Sequence, residues 1–106
     1  MPVGLNNNLY RSARIKAEEA VEIDQQLGRL EEDIRRLKVD FDIYFNGAVK
    51  RPPLEAKARV ASVIRRISDN RNLSYAQRYH LNTLISRYTS YHELWRRQLK
   101  ARGEEF

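Results

Sequence analysis

The chain contains no cysteine, and this absence excludes a disulfide framework, a cysteine-ligated metal site and thiol chemistry. Glycine and proline are also scarce, with four and three residues among 106. No apolar run approaches the roughly 18 residues of a membrane span, and residues 1–10 lack the basic and apolar regions of a secretory signal. We therefore expect one small soluble domain, cytoplasmic and not bound to a membrane.

The net positive charge of the chain lies in its second half. Residues 1–53 carry nine Lys or Arg and nine Asp or Glu, whereas residues 54–106 carry eleven against five and hold the whole net charge of +6. Arginine outnumbers lysine by 15 to 5. Arginine binds carboxylates and phosphates in a planar, bidentate manner, so this excess favours an anionic partner or the acidic face of the first half.

The spacing of apolar residues predicts a long first helix over about 9–45. Apolar side chains recur at alternating intervals of four and three, a heptad pattern that keeps one stripe facing a partner helix. This seam consists of Ile23, Leu27, Leu30, Ile34, Leu37, Phe41 and Tyr44. Residues 1–8 are polar and contain both Pro2 and Gly4, so we expect them to be irregular or disordered.

Turn residues divide the rest of the chain into two further helices. Asn46 and Gly47 end the first helix, and Pro53 favours the start of a second one over about 53–68. Ser74 and Gln77 form a capping box that opens a third helix over about 75–102, followed by a tail at 103–106. The sequence therefore predicts an all-α fold, a coiled-coil-like three-helix bundle in a single domain over 9–102.

The predicted helix lengths do not match. At about 1.5 Å per residue the three helices span roughly 55, 24 and 42 Å. We expect about twenty residues at the start of the first helix to lack cover, and the third helix to pass the Asn46–Gly47 turn by about three helical turns. Uncovered apolar stripes favour a partner, a second copy or another helical protein. The expected interface residues are Ile23, Leu27, Leu30, Ile34, Leu94, Trp95 and Leu99.

No arrangement of residues indicates catalysis, a cofactor or a metal. His80 and His92 lie on different helix faces, and neither has an acidic residue four positions away to complete a helical metal pair. The serines lack a nucleophile motif, and no glycine-rich phosphate loop occurs. We expect a non-enzymatic module that binds another protein or itself.

An alternative function is the binding of nucleic acid or another polyanion. Tyrosines alternate with arginines in the third helix, and cationic side chains beside aromatic rings can hold phosphates and stack on bases. The competing interpretation places the aromatic rings in the core and the arginines on a solvated face. The candidate polyanion-binding residues are Arg65, Arg66, Arg78, Arg87, Arg96, Arg97 and Lys100.

Four short sequences resemble a bacterial helical domain family of unknown function, whose members usually form the C-terminal part of longer proteins. They are Phe-Asn-Gly at 45–47, Arg-Pro-Pro at 51–53, Leu-Asn-Thr-Leu at 81–84 and Leu-Trp at 94–95. The resemblance covers about 25–100 and implies no activity. It implies a specific turn, in which Phe45 packs onto the third helix. The turn residues are Phe45, Asn46, Gly47, Arg51, Pro52 and Pro53, and an ordered loop is favoured over a ligand site.

Overall fold

The computed structural model describes residues 3–104 and 106. Side chains are described from Leu9 onward. It contains three α-helices, α1 at Val3–Phe45, α2 at Leu54–Ser68 and α3 at Tyr75–Ala101, and no strand within that part of the chain. All three helices contact one another. The predicted all-α three-helix bundle is therefore confirmed.

The first helix begins earlier than predicted. Residues 3–8, expected to be irregular, belong to α1, which starts at Val3. Adding residues to an existing helix needs no new nucleus, and asparagine is only a mildly poor helix former, so nothing between Leu5 and Leu9 ends the helix. Residues 1 and 2 lie outside the described residues.

The other helix boundaries agree with the prediction to within one residue. Pro53 is the N-cap of α2 and not its first helical residue. The capping box of α3 is present: Ser74 Oγ accepts a hydrogen bond from the Gln77 backbone N–H, and Gln77 Oε1 accepts one from the Ser74 backbone N–H. Arg102 is the C-cap of α3, and Gly103 follows it with a φ of +79°.

The helices run up, down and up, so that α1 and α3 are parallel. Near the start of α3, Gln77 Nε2 donates a hydrogen bond to the Ala20 carbonyl of α1. Just past its end, Arg102 donates one to the Phe45 carbonyl at 2.7 Å. The predicted overshoot of three turns is wrong. The connections 46–53 and 69–74 add to the length of α2, so α3 begins level with Ala20 and ends level with the first turn.

The predicted heptad seam forms the core of the bundle. All seven seam residues of α1 are at most 5% exposed. They pack against apolar side chains of the other two helices, which are Val60 and Ile67 of α2 and Leu81, Leu84, Trp95 and Leu99 of α3. The core therefore extends from Ile23 to Tyr44, only about half of α1.

Candidate interaction surface

Most of the predicted interface residues lie inside the bundle. Six of the seven are at most 5% exposed, and only Leu94, at 44%, faces solvent. The six buried residues are Ile23, Leu27, Leu30, Ile34, Trp95 and Leu99. They cannot form a surface for a partner, because α2 and α3 already cover them. For Trp95 and Leu99 the error followed from the overshoot, which had placed the end of α3 beyond the bundle. For the four residues of α1 it followed from the expectation that α1 lacks cover further along, whereas α3 begins level with Ala20.

Trp95 is the centre of an aromatic cluster in the core. Its ring stacks on Phe41 at 4.0 Å between centroids and on Tyr91 at 5.7 Å, and it meets Tyr88 edge to face at 6.5 Å. Its indole Nε1 is buried and has no hydrogen-bond partner among the described residues. Tyr88 and Tyr91 pack against the same core and are partly buried.

The uncovered part of α1 is a helical arm of residues 9–22. Every side chain in the arm is exposed, whereas Ile23 at its base is only 5% exposed. The arm is about 20 Å long at 1.5 Å per residue, which is roughly a quarter of the 73 Å long axis of the molecule. The predicted lack of cover at the start of α1 is confirmed for these residues.

One side of the arm is apolar. At about 100° per residue, its apolar residues except Ile15 fall within about one third of the helix circumference. They are Leu9, Tyr10, Ala13, Ala17, Ala20 and Val21. The larger apolar side chains on this side are well exposed, Tyr10 at 73%, Leu9 at 65% and Val21 at 55%. Ile15 points to the opposite side.

Charge is divided along the arm. Residues 9–16 carry Arg11, Arg14 and Lys16 and no acidic residue, whereas residues 17–22 carry Glu18, Glu19 and Glu22 and no basic residue. The two halves meet in an ion pair between Arg14 and Glu18 at 3.1 Å, with both side chains well exposed. Such an exposed pair stabilises the helix by only a few tenths of a kcal/mol, about 0.3–0.5.

Gln77 locks the start of α3 to the base of the arm. It is 7% exposed, and its Nε2 donates hydrogen bonds to the Ala20 carbonyl and to Asp24 Oδ1, in addition to its part in the capping box. The capping box was predicted from the sequence, whereas the hydrogen bonds of Gln77 to α1 were not. The available signal was the position of a polar residue four before Leu81, on the buried stripe of α3.

The candidate polyanion-binding residues are all exposed but do not form one patch. Arg78 and Arg97 are 19 residues apart on α3, or about 28 Å. Arg78 turns toward the carbonyl of Asn70, whereas Arg87 turns toward Glu31 of α1 at 3.8 Å. Within the described part of the chain, Glu31 is the only acidic residue of α1 that pairs with α3, through Arg87 and His80. The acidic face of α1 therefore neutralises few of these arginines.

Two tyrosines at the start of α3 have the most exposed aromatic rings among the described side chains. Tyr75 is 98% exposed and Tyr79 is 76% exposed. With Arg78 between them, they border a shallow groove of about 500 Å³, which Leu73, Ser74 and Asn82 also line. Both tyrosines fall outside the apolar stripe of α3, which is the sequence signal for their exposure.

The turn residues are structural. Gly47 adopts a φ of +84°, a backbone conformation that favours glycine, and its N–H donates to the Tyr44 carbonyl. Phe45 packs against the core, and the Arg102 guanidinium lies over its ring at 5.1 Å. Asn46 donates its backbone N–H to the Asp42 carbonyl, and Arg51 is exposed. Pro52 and Pro53 are partly buried beside the first turn of α2.

The surroundings of His92 are partly aromatic and partly charged. His92 lies between Tyr88 and Phe106, with ring centroids 5.9 and 4.7 Å away. Burial lowers the pKa of His92, and the nearby charge of Lys57 lowers it further. Among residues 3–104 and 106, no group of three or more His, Asp or Glu residues is placed to hold a metal ion. No helix in the same range is long and apolar enough to cross a membrane.

Comparison with known proteins adds no relative. No model of a known protein family, no curated protein and no solved structure matches the chain. The resemblance to a bacterial helical domain family therefore stays a prediction.

Proposed function

We propose that this chain is a non-enzymatic helical module for protein–protein association, and that the arm of α1 is its contact surface. The observation that carries the proposal is the exposure of every arm residue from 9 to 22, although the apolar residues still follow one side of the helix. A helix that is amphipathic and yet contacts its own domain only near its base, where Gln77 binds the Ala20 carbonyl, is suited to bind another helix.

The composition of the arm supports a helical partner. Alanines at 13, 17 and 20 allow two helix axes to approach closely, while Tyr10 and Val21 supply larger apolar groups. Binding a second helix would remove these side chains from water, at about 25 cal/mol for each Å² of apolar surface. Because alanine buries little area, we expect a dissociation constant in the micromolar range.

The test is site-specific photo-crosslinking in native cells. A photoreactive amino acid at position 17, on the apolar side of the arm, should form a protein adduct. The same amino acid at position 15, on the opposite side, is the matched control and should form much less. Absence of an adduct from position 17, or equal adducts from both positions, would contradict the proposal.

Polyanion binding is a second candidate, favoured by the groove between Tyr75 and Tyr79. Arg78 lines the same groove as two exposed rings, and a cation beside aromatic rings is suited to a phosphate next to stacked bases. Binding of a labelled single-stranded oligonucleotide should then weaken steeply as salt rises, because phosphate contacts release counterions. The double substitution Tyr75→Ala and Tyr79→Ala should weaken binding, whereas Thr89→Ala is the control. No binding at low salt would exclude this function.

A further inference from the structure

A second stripe runs along α1, beside the seam that α2 and α3 cover. It is formed by Tyr10, Arg14, Ala17, Val21, Asp24 and Gly28, at alternating intervals of four and three. This alternation is the heptad spacing of a helix–helix contact. Val21 is 55% exposed, and a Cβ added at Gly28 would meet no atom within 4 Å. The stripe is therefore uncovered at Val21 and at Gly28, and between them Asp24 accepts a hydrogen bond from Gln77 of α3.

From this stripe we infer that the partner of the arm is a second copy of the chain, packed antiparallel through the arms. The inference rests on the proposed function and adds the identity and direction of the partner. Pairing Tyr10 of one copy with Val21 of the other brings Arg14 opposite Ala17, twice by symmetry. Each large side chain then faces a smaller one, and the two-fold axis passes between residues 15 and 16.

Charges beside the stripe complement one another in this register. Arg11 and Glu18 follow Tyr10 and Ala17 directly and therefore flank the same edge of the stripe. In an antiparallel pair, residues on this edge face each other, so Arg11 of each copy meets Glu18 of the other. The opposite edge brings Ala13 next to Ala20, which permits close packing. The division of charge along the arm thus becomes two ion pairs between the copies.

The parallel alternative places like charges together. In a parallel pair each stripe residue meets its own counterpart, so Arg14 would face Arg14 and Asp24 would face Asp24 across the contact. Like charges directly opposite one another oppose association. Arg11 and Glu18 would also lose their partners, since the edge that faces theirs carries no charge at positions 6, 13 and 20.

A groove of the bundle lies at the level that the antiparallel partner reaches. Where the arm joins the bundle, α1 and the start of α3 border a shallow groove lined by Ala20, Asp24, Ser74, Ala76, Gln77 and His80. In the register above, residues 3–11 of the second copy reach this level of α1. The first two turns of α1 in one copy therefore lie beside the base of the other copy's arm.

The first experiment uses sedimentation equilibrium on the full chain between micromolar and millimolar concentration. We expect a monomer–dimer equilibrium, with Arg11→Glu and Glu18→Arg each weakening self-association about tenfold, because each converts two attractive contacts into repulsive ones. A mixture of the two variants should form a 1:1 heterodimer at least as tightly as the unmodified chain. Glu22→Arg, on the outer side of the arm, is the charge-matched control and should leave the dimer unchanged.

The second experiment measures direction. Because the chain has no cysteine, one introduced at position 12 or at position 29 carries a single spin label per copy. The antiparallel register separates the two labels by about 10 Å along the axis at position 12 and by about 40 Å at position 29. A parallel dimer gives the same short distance at both positions and would overturn the inference.

The identity of the partner and the role of the arm as a contact surface can be overturned separately. A chain that stays monomeric throughout, while position 17 still crosslinks to a different protein in cells, overturns the second copy as partner and leaves the proposed function standing. A monomer that also forms no adduct overturns both. All the substituted side chains are exposed, and circular dichroism confirms that each variant remains helical.

Discussion

The indole ring of Trp95 in α3 lies almost flat on the phenyl ring of Phe41 in α1, with centroids 4.0 Å apart and planes inclined by 14°. This contact joins the two parallel helices near the end of the bundle where α1 turns into α2. It also places the only tryptophan of the chain in the core, although the indole N–H has no acceptor there.

Trp95→Ala should therefore destabilise the fold by about 3–5 kcal/mol, because it leaves a large cavity beside Phe41. Trp95→Phe should cost about 1 kcal/mol or less, since it retains the stacking and removes a buried donor that lacks a partner. Urea unfolding followed by circular dichroism measures both. Leu94→Ala, at the exposed neighbouring position, is the control with a small effect. A Trp95→Ala variant as stable as the parent would show that this stack does not hold the bundle together.

Two glycines should respond in opposite directions to alanine. Gly28 lies within α1 with open space around it, so Gly28→Ala should raise the free energy of unfolding by about 0.5–1 kcal/mol. Gly47 has a φ of +84°, so Gly47→Ala should lower it by about 1–2 kcal/mol. Thermal and chemical unfolding of the two variants decide the sign of each effect. Stabilisation by Gly47→Ala would contradict the left-handed turn.

Gln77→Ala should destabilise the bundle by about 1–3 kcal/mol, because it leaves the Ala20 carbonyl and one Asp24 oxygen without their donor and removes half of the capping box. Ser74→Ala should cost about 1 kcal/mol through the cap alone. The double variant should cost less than the sum, since both substitutions break the same box. Simple additivity in urea unfolding would argue against their coupling.

Acid should weaken the fold in part through His92. Its pKa in the folded chain is below the ordinary value of 6.5, because burial and the charges of Lys57 and Arg96 disfavour the protonated ring, with Glu93 acting in the opposite direction. The unfolded chain therefore binds more protons below pH 6.5. The free energy of unfolding should be highest above that pH and fall as the pH drops below it. His92→Gln should flatten this decline, and an unchanged pH profile in the variant would contradict the effect.

The heptad seam shows how far the sequence could predict the fold. The seven apolar residues from Ile23 to Tyr44 belong to one helix with a regular period, so their burial followed from local spacing. The level at which α3 begins depended instead on the path of residues 69–74, which has no such period. That path, with the hydrogen bonds of Gln77, moved Trp95 from an expected free end into the core.

The candidate site was predictable to a similar degree. Counting residues was enough to show that α2 and α3 could not cover the start of α1. It could not show which side of the uncovered helix stays exposed beyond the arm, because that depends on where the other two helices lie around α1. The apolar stripe of α3 through Leu81 and Leu84 leaves Tyr75 and Tyr79 outside it, and the packing of the three helices shows that both rings are exposed.

The arm and the core belong to one uninterrupted helix, so the core determines the rotational phase of the arm. Inserting one residue between Ala13 and Ala20 would turn everything beyond it by about 100° and carry Tyr10 away from the line of Val21. An insertion of seven residues would almost restore the original phase. Insertions within this segment should therefore be tolerated when they restore the rotational phase, as seven residues do, and not when they change it, as one residue does. The core thereby fixes the direction in which the apolar side of the arm points.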